Sequence, residues 1–128
     1  MRSAYAIARF LLGIVFLAFG LNGFLHFIPM PPPAGVAGQF FGAIFTSGFW
    51  VLIFLLQIIP AVLLLINRYV PLALMVLAPV IVNIFCFHVF MAPGGLPLAL
   101  IVIILWIVVY LDVRSAFAGL FQLRIRKV

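Results

Sequence analysis

Two short stretches hold most of the groups in this chain that could do chemistry. "NGFLHFIP" places Asn22 and His26 four residues apart, and "NIFCFHVF" places Asn83 and His88 five apart with Cys86 between them. On a helix the first pair shares one face. The second pair is separated by about 140° around an ideal helix and does not. A neutral imidazole can both donate and accept hydrogen bonds, and it titrates near neutral pH. Both histidines at one outward-facing pocket, with Asn22 and Asn83 deeper, would suit a quinone head group, a small polar solute or a lipid head group. The competing reading is that the histidines snorkel to an interface or bond a neighbouring carbonyl. Metal binding fits poorly, because no carboxylate or second thiol accompanies the two histidines.

The remaining polar groups read as structural. Gln57 lies three residues before Pro60, which leaves the Leu56 carbonyl without its helical partner. Its amide is expected to bond within that kink or across to Asn83, as glue between helices. Asp112 is the only acid in the chain and is expected to pair with Arg9, Arg68 or Arg114. One acid cannot supply the carboxylate pair of an acid–base enzyme. Cys86, flanked by Phe85 and Phe87, is expected to be buried and inert. A single cysteine also excludes an intrachain disulfide and a two-cysteine redox pair. There is no phosphate-binding loop, dinucleotide glycine fingerprint, nucleophile elbow or zinc-protease helix. The chain is therefore expected not to be catalytic on its own.

These groups must be positioned by helices in lipid. Of 128 residues, 70% are apolar and 6% charged. A water-soluble domain of this size cannot hide so much apolar surface. Proline, glycine and arginine punctuation divides the chain into four spans of roughly 20 residues, the length a bilayer requires. They are placed at 5–28, 48–66, 71–91 and 97–117. Pro71 and Pro97 suit the first turn of a helix, where the missing N–H costs nothing. The long loop after the first span opens with Pro29, Pro31, Pro32 and Pro33, a stiff exit. Phe40, Phe41, Ile44 and Phe45 then recur at helical spacing, predicting a short interfacial helix within 39–46. Gly13, Gly20 and Gly23 allow close approach by a neighbouring helix.

The charges divide cleanly. All seven Lys and Arg residues fall on one side of the four-span layout, and the opposite loops, 29–47 and 92–96, have none. This positive-inside pattern predicts both termini in the cytoplasm. The net charge of +6 is scattered at helix ends rather than gathered in a stripe, which argues against nucleic acid. The first and third spans each carry an asparagine, a histidine and a proline-containing exit. The predicted architecture is one all-α domain, 1–128: a polytopic four-helix bundle of two parallel-repeat hairpins with an interfacial helix in the first outer loop.

The runs "ARFLLGIVFLAFGLNGFLHFIPMPP", "INRYVPLALMVLAPVIVNIFCFHVF" and "PGGLPLAL" resemble the DoxX-like family of small membrane proteins, over about residues 9–118. The resemblance implies a four-helix bundle in a bacterial inner membrane, with an accessory or quinone-binding role linked to membrane redox chemistry. It also implies a soluble or membrane oxidoreductase partner, membrane lipid as surroundings, and homo-oligomers. It carries over no catalytic residue. Many relatives have a glutamate where Gln57 stands, so a proton-carrying role for that position is not supported here. Two other function classes stay open: a small-solute transporter or oligomeric permeation pathway, and an assembly or lipid-interacting scaffold.

Overall fold

The computed structural model describes residues 2–125. Five α-helices follow in order: α1 Arg2–Leu25, α2 Gly35–Ser47, α3 Trp50–Leu65, α4 Val70–Phe90 and α5 Leu96–Val113. A 3-10 turn, Pro93–Gly95, leads into α5, and a second, Arg114–Phe121, follows it. Among the described residues there is no strand. The fold is all-helical, as the sequence indicates.

Helix α1 packs on α3 and α5, and α4 packs on the same two helices from the other side. The closest approach is between α1 and α3. Gly13, Gly20 and Gly23 all face α3, where an added Cβ would press on Leu65, Ile58 and the Phe54 ring respectively. The centre is filled by Leu12, Phe16, Leu64, Leu74, Leu77 and Val109, all buried. Around it, long rows of Ile, Leu and Val point outward. A chain buried in this pattern is apolar inside and apolar outside, which is how helices look when their solvent is lipid. Helices α1 and α4, and the stretch Pro93–Phe121, are long and apolar enough to cross a membrane.

The helix bounds differ from the spans read from sequence, and each difference has a local cause. Helix α1 stops at Leu25, before Pro29, because His26 adopts a left-handed conformation (φ 53°) and ends the helix. The His26 N–H returns to the Asn22 carbonyl at 2.9 Å, the left-handed C-terminal motif. Helix α3 has only 16 residues, about 24 Å, short of a full crossing. Gly48 (φ 83°) turns the chain between α2 and α3, and the two helices meet at 91°. The helix expected within 39–46 is longer, filling Gly35–Ser47. Helix α4 begins at Val70 with Pro71 in its first turn, and α5 at Leu96 with Pro97 in its first turn. Helix α5 ends at Val113, and a 3-10 turn replaces the last residues of the predicted fourth span.

Candidate functional site

The two ends of the molecule differ in chemistry. One end gathers the start of α1, the α3–α4 turn and the end of α5. Here the Tyr5 hydroxyl donates to the Asn67 side-chain carbonyl at 3.2 Å. The Arg9 guanidinium donates to the carbonyls of Leu64 and Leu65, the last of α3. Those carbonyls carry the negative end of the helix dipole, so a cation is favoured there. The α3 end is also closed by its own backbone: Asn67, at φ 56°, donates to the Leu64 carbonyl, and the Arg68 N–H to that of Leu63. This is a Schellman closure with asparagine in the left-handed position. The Arg9 guanidinium also lies 5.8 Å over the Tyr5 ring. Its Nε is buried and has no hydrogen-bond partner among the described residues.

This inter-helix cap replaces the ion pair expected of Asp112. Arg9 is engaged by carbonyls, and Asp112 is exposed at the end of α5 with no ion pair to Arg9, Arg68 or Arg114. The sequence reading treated Arg9 as a topology signal and missed its contact with α3. The available clue was its depth: it lies two turns into α1, level with the end of an antiparallel neighbour.

The other end holds the α1–α2 loop, α2 and the α4–α5 connection, and has no charged side chain. Helix α2 lies across it and packs through aromatic rings. From α1, Phe24 meets Trp50 at 5.0 Å, Trp50 meets Phe45 at 6.0 Å, and Phe45 meets Phe41 at 6.2 Å. Phe41 then meets Phe87 of α4 at 5.1 Å, and Phe87 meets His88 edge-on at 5.2 Å. Ala37 and Ile44, two turns apart, form the buried side of α2. The result is an aromatic cover from α1 to α4 over the uncharged end.

The four predicted ligand-binding residues are mostly bonded within their own segments. Asn22 accepts the Ile28 N–H on its side-chain oxygen at 2.6 Å, which folds the chain exit back over α1. His26 is exposed and serves as the left-handed residue that ends α1. Asn83 is exposed and donates to the Pro79 carbonyl one turn back, at 2.8 Å. It therefore does not meet Gln57. Gln57 is 8% exposed against α1 beside Gly20, and its amide has no hydrogen bond among the described residues. His88 is half-buried, with Nδ1 2.8 Å from the Ile84 carbonyl. A carbonyl only accepts, so Nδ1 is the donor, and in the neutral imidazole Nε2 is left as the acceptor. The ring lies against Gly95, where any Cβ would overlap it.

No hydrogen bond joins any of the four to another. A groove of about 340 Å³ between α4 and α5 is lined by Ile81, Phe85, Ile103 and Trp106, not by any of the four. Trp106 closes one side, its indole N–H donating to the Leu74 carbonyl at 3.0 Å. Cys86 is exposed rather than buried among phenylalanines, because Phe85 and Phe87 lie to either side of it around the helix. Among the described residues no group of three or more His, Cys, Asp or Glu could hold a metal. Comparison of the chain with family models, curated proteins and solved structures finds no match to any of them.

Proposed function

We propose that the chain is a four-span membrane protein of a bacterial inner membrane, with both termini on the cytoplasmic side. In this reading it is a non-catalytic subunit that binds a lipid-soluble molecule with a flat, hydrogen-bonding head group, a quinone, for an oxidoreductase partner. The observation that carries the reading is His88. Its Nδ1 is fixed on the Ile84 carbonyl, so in the neutral ring Nε2 is the acceptor, on the side that packs on Gly95; the ring meets Phe87 edge-on, and Phe87 in turn meets Phe40 and Phe41. A quinol hydroxyl can donate to such a nitrogen while its ring packs on phenylalanine. The isoprenoid tail would lie along the outward apolar rows of the helices. The charged end, opposite His88, sets the orientation by the positive-inside rule. The resemblance to DoxX-like proteins supports the redox setting. Asn22, Asn83 and His26 are then supporting residues of the outer end.

The rival scaffold reading draws on a different observation: Asn22 and Asn83 each make a side-chain hydrogen bond within their own segment, and the outward faces are apolar. A transport pathway would have to run between copies, since the centre of one chain is close-packed. Native mass spectrometry of protein purified in mild detergent, followed by solvent extraction, separates these. The expected result is one quinone per chain, retained in His26→Gly and lost in His88→Ala. Equal quinone in His88→Ala and the parent, or none in either, overturns the reading.

A further inference from the structure

The segment after α5 has a surface that helix packing does not explain. Phe117 is buried and anchors the 3-10 turn Arg114–Phe121, its ring 5.2 Å from that of Tyr110. Beyond this anchor the apolar side chains turn outward: Phe121 is 81% exposed, Leu123 97% and Ile125 87%, with Leu120 also exposed. Cations are interleaved with them. Arg114 opens the segment, Arg124 separates Leu123 from Ile125, and the sequence continues with Arg126 and Lys127. No acid follows Asp112. The segment leaves α5 at the charged end, which it shares with Arg9 and Arg68.

We propose that residues 114–125 lie flat on the anionic phospholipid head groups of the leaflet at this end. Leu120, Phe121, Leu123 and Ile125 insert among the upper acyl chains, and Arg114 and Arg124 sit at phosphate level. Charge complementarity selects the occupant. A strip that is cationic and large-apolar by turns, with no acid, is satisfied in both halves only where a negative surface overlies hydrocarbon. In water the apolar side chains stay exposed, and in hydrocarbon the arginines go unpaired. The inference rests on the membrane placement of α5, so its test carries a separate control for that placement.

The test uses the full chain with Cys86→Ser, reconstituted in lipid nanodiscs and spin-labelled at Leu123→Cys or at Ile104→Cys. Ile104 lies midway along α5 and is 59% exposed. Collision with oxygen reports immersion, and collision with a water-soluble nickel chelate reports exposure. In discs of phosphatidylcholine with phosphatidylglycerol, both labels should be shielded from nickel. In phosphatidylcholine alone, Ile104 stays shielded and Leu123 becomes accessible. Arg114→Gln and Arg124→Gln should each lower the attached-to-detached ratio by roughly fivefold. Salt at 1 M, where the screening length falls to about 3 Å, should act the same way.

Nickel access at Leu123 in the anionic discs, with Ile104 shielded, overturns the proposal and leaves the membrane reading standing. Nickel access at Ile104 overturns the membrane reading itself. Equal shielding of Leu123 in both lipids removes the anionic requirement and overturns the proposal as stated. Shielding found only in native membrane vesicles points to a protein partner and overturns it too.

Discussion

Replacing Gly20 by alanine puts the α1–α3 contact under direct strain. The new Cβ would sit 2.7 Å from Ile58 Cγ1 and 3.3 Å from both the Ile58 backbone nitrogen and Gln57 Cβ. Ordinary carbon contacts lie near 3.5–4.0 Å. Ile58 cannot swing clear easily, because a β-branched side chain is held to one helical rotamer. The backbone nitrogen can yield only if the helices separate. Overpacking of this kind costs about 1–3 kcal/mol, and alanine regains about 1 kcal/mol of helix propensity. The net expectation is a loss of up to about 2 kcal/mol, or up to ~8 °C in Tm. Gly20→Val, with two more methyl groups on the same backbone, should lose about 3 kcal/mol. Gly42→Ala is the control, since open space surrounds that position; it should gain up to about 1 kcal/mol. The assay is thermal unfolding in mild detergent, with Ile58→Ala completing a double-mutant cycle. Removing Cγ1 should make the double variant about 1 kcal/mol better than the sum of the singles. If Gly20→Ala raises Tm as Gly42→Ala does, and shows no coupling to Ile58, the close approach of α1 and α3 is wrong.

Other substitutions test the two ends. Arg9→Met removes a charged donor from the last carbonyls of α3 and should cost about 1.5–3 kcal/mol by thermal unfolding; Arg9→Lys should recover only part, lacking the planar fork. Asn22→Leu frees the Ile28 N–H, so amide exchange at Ile28 should quicken by roughly fivefold, reflecting the loss of about 1 kcal/mol, while mid-α1 amides stay protected. His26→Gly relieves a left-handed non-glycine residue and should stabilise by about 0.5–1 kcal/mol, read as a higher Tm; a lower Tm would show that the imidazole makes a contact that matters. Trp106→Phe strips an indole donor from the Leu74 carbonyl and should lower stability by about 1 kcal/mol, with no effect on ligand retention at the opposite end.

Helix number and approximate limits were legible because punctuation is strong in so apolar a chain. Pro71 and Pro97 sit in first turns, and the glycines of α1 mark its close neighbour. The packing faces were less legible. The sides of α4 and α5 that meet their neighbours are as apolar as those that turn outward, so hydrophobic periodicity cannot sort one from the other. The glycines identified the α1 face, but no comparable signal identifies the faces of α4 and α5. Helix ends set by one backbone conformation were also hidden. Pro29 looked like the stop of α1, yet His26 at positive φ acts three residues sooner.

The candidate site shows why polar residues in an apolar helix over-predict shared pockets. Every helical position has a carbonyl one turn behind it, always within reach of a short polar side chain. Asn83 uses Pro79 in this way and His88 uses Ile84, both at a spacing of four. That option needs no second helix, so the cost of placing an amide in lipid can be met without any pocket. The sequence pattern "polar residue in a span" is therefore common to ligand contacts and to local satisfaction. What separates them is the group left over after the local bond. Asn83 uses one amide N–H on its own helix, and its side-chain oxygen and second N–H remain on an exposed residue. His88 is half-buried and keeps a ring nitrogen with no hydrogen-bond partner among the described residues, in a ring that packs on Gly95 and meets Phe87 edge-on, and that sheltered lone pair is why His88, rather than its partners in sequence, is the residue to test first.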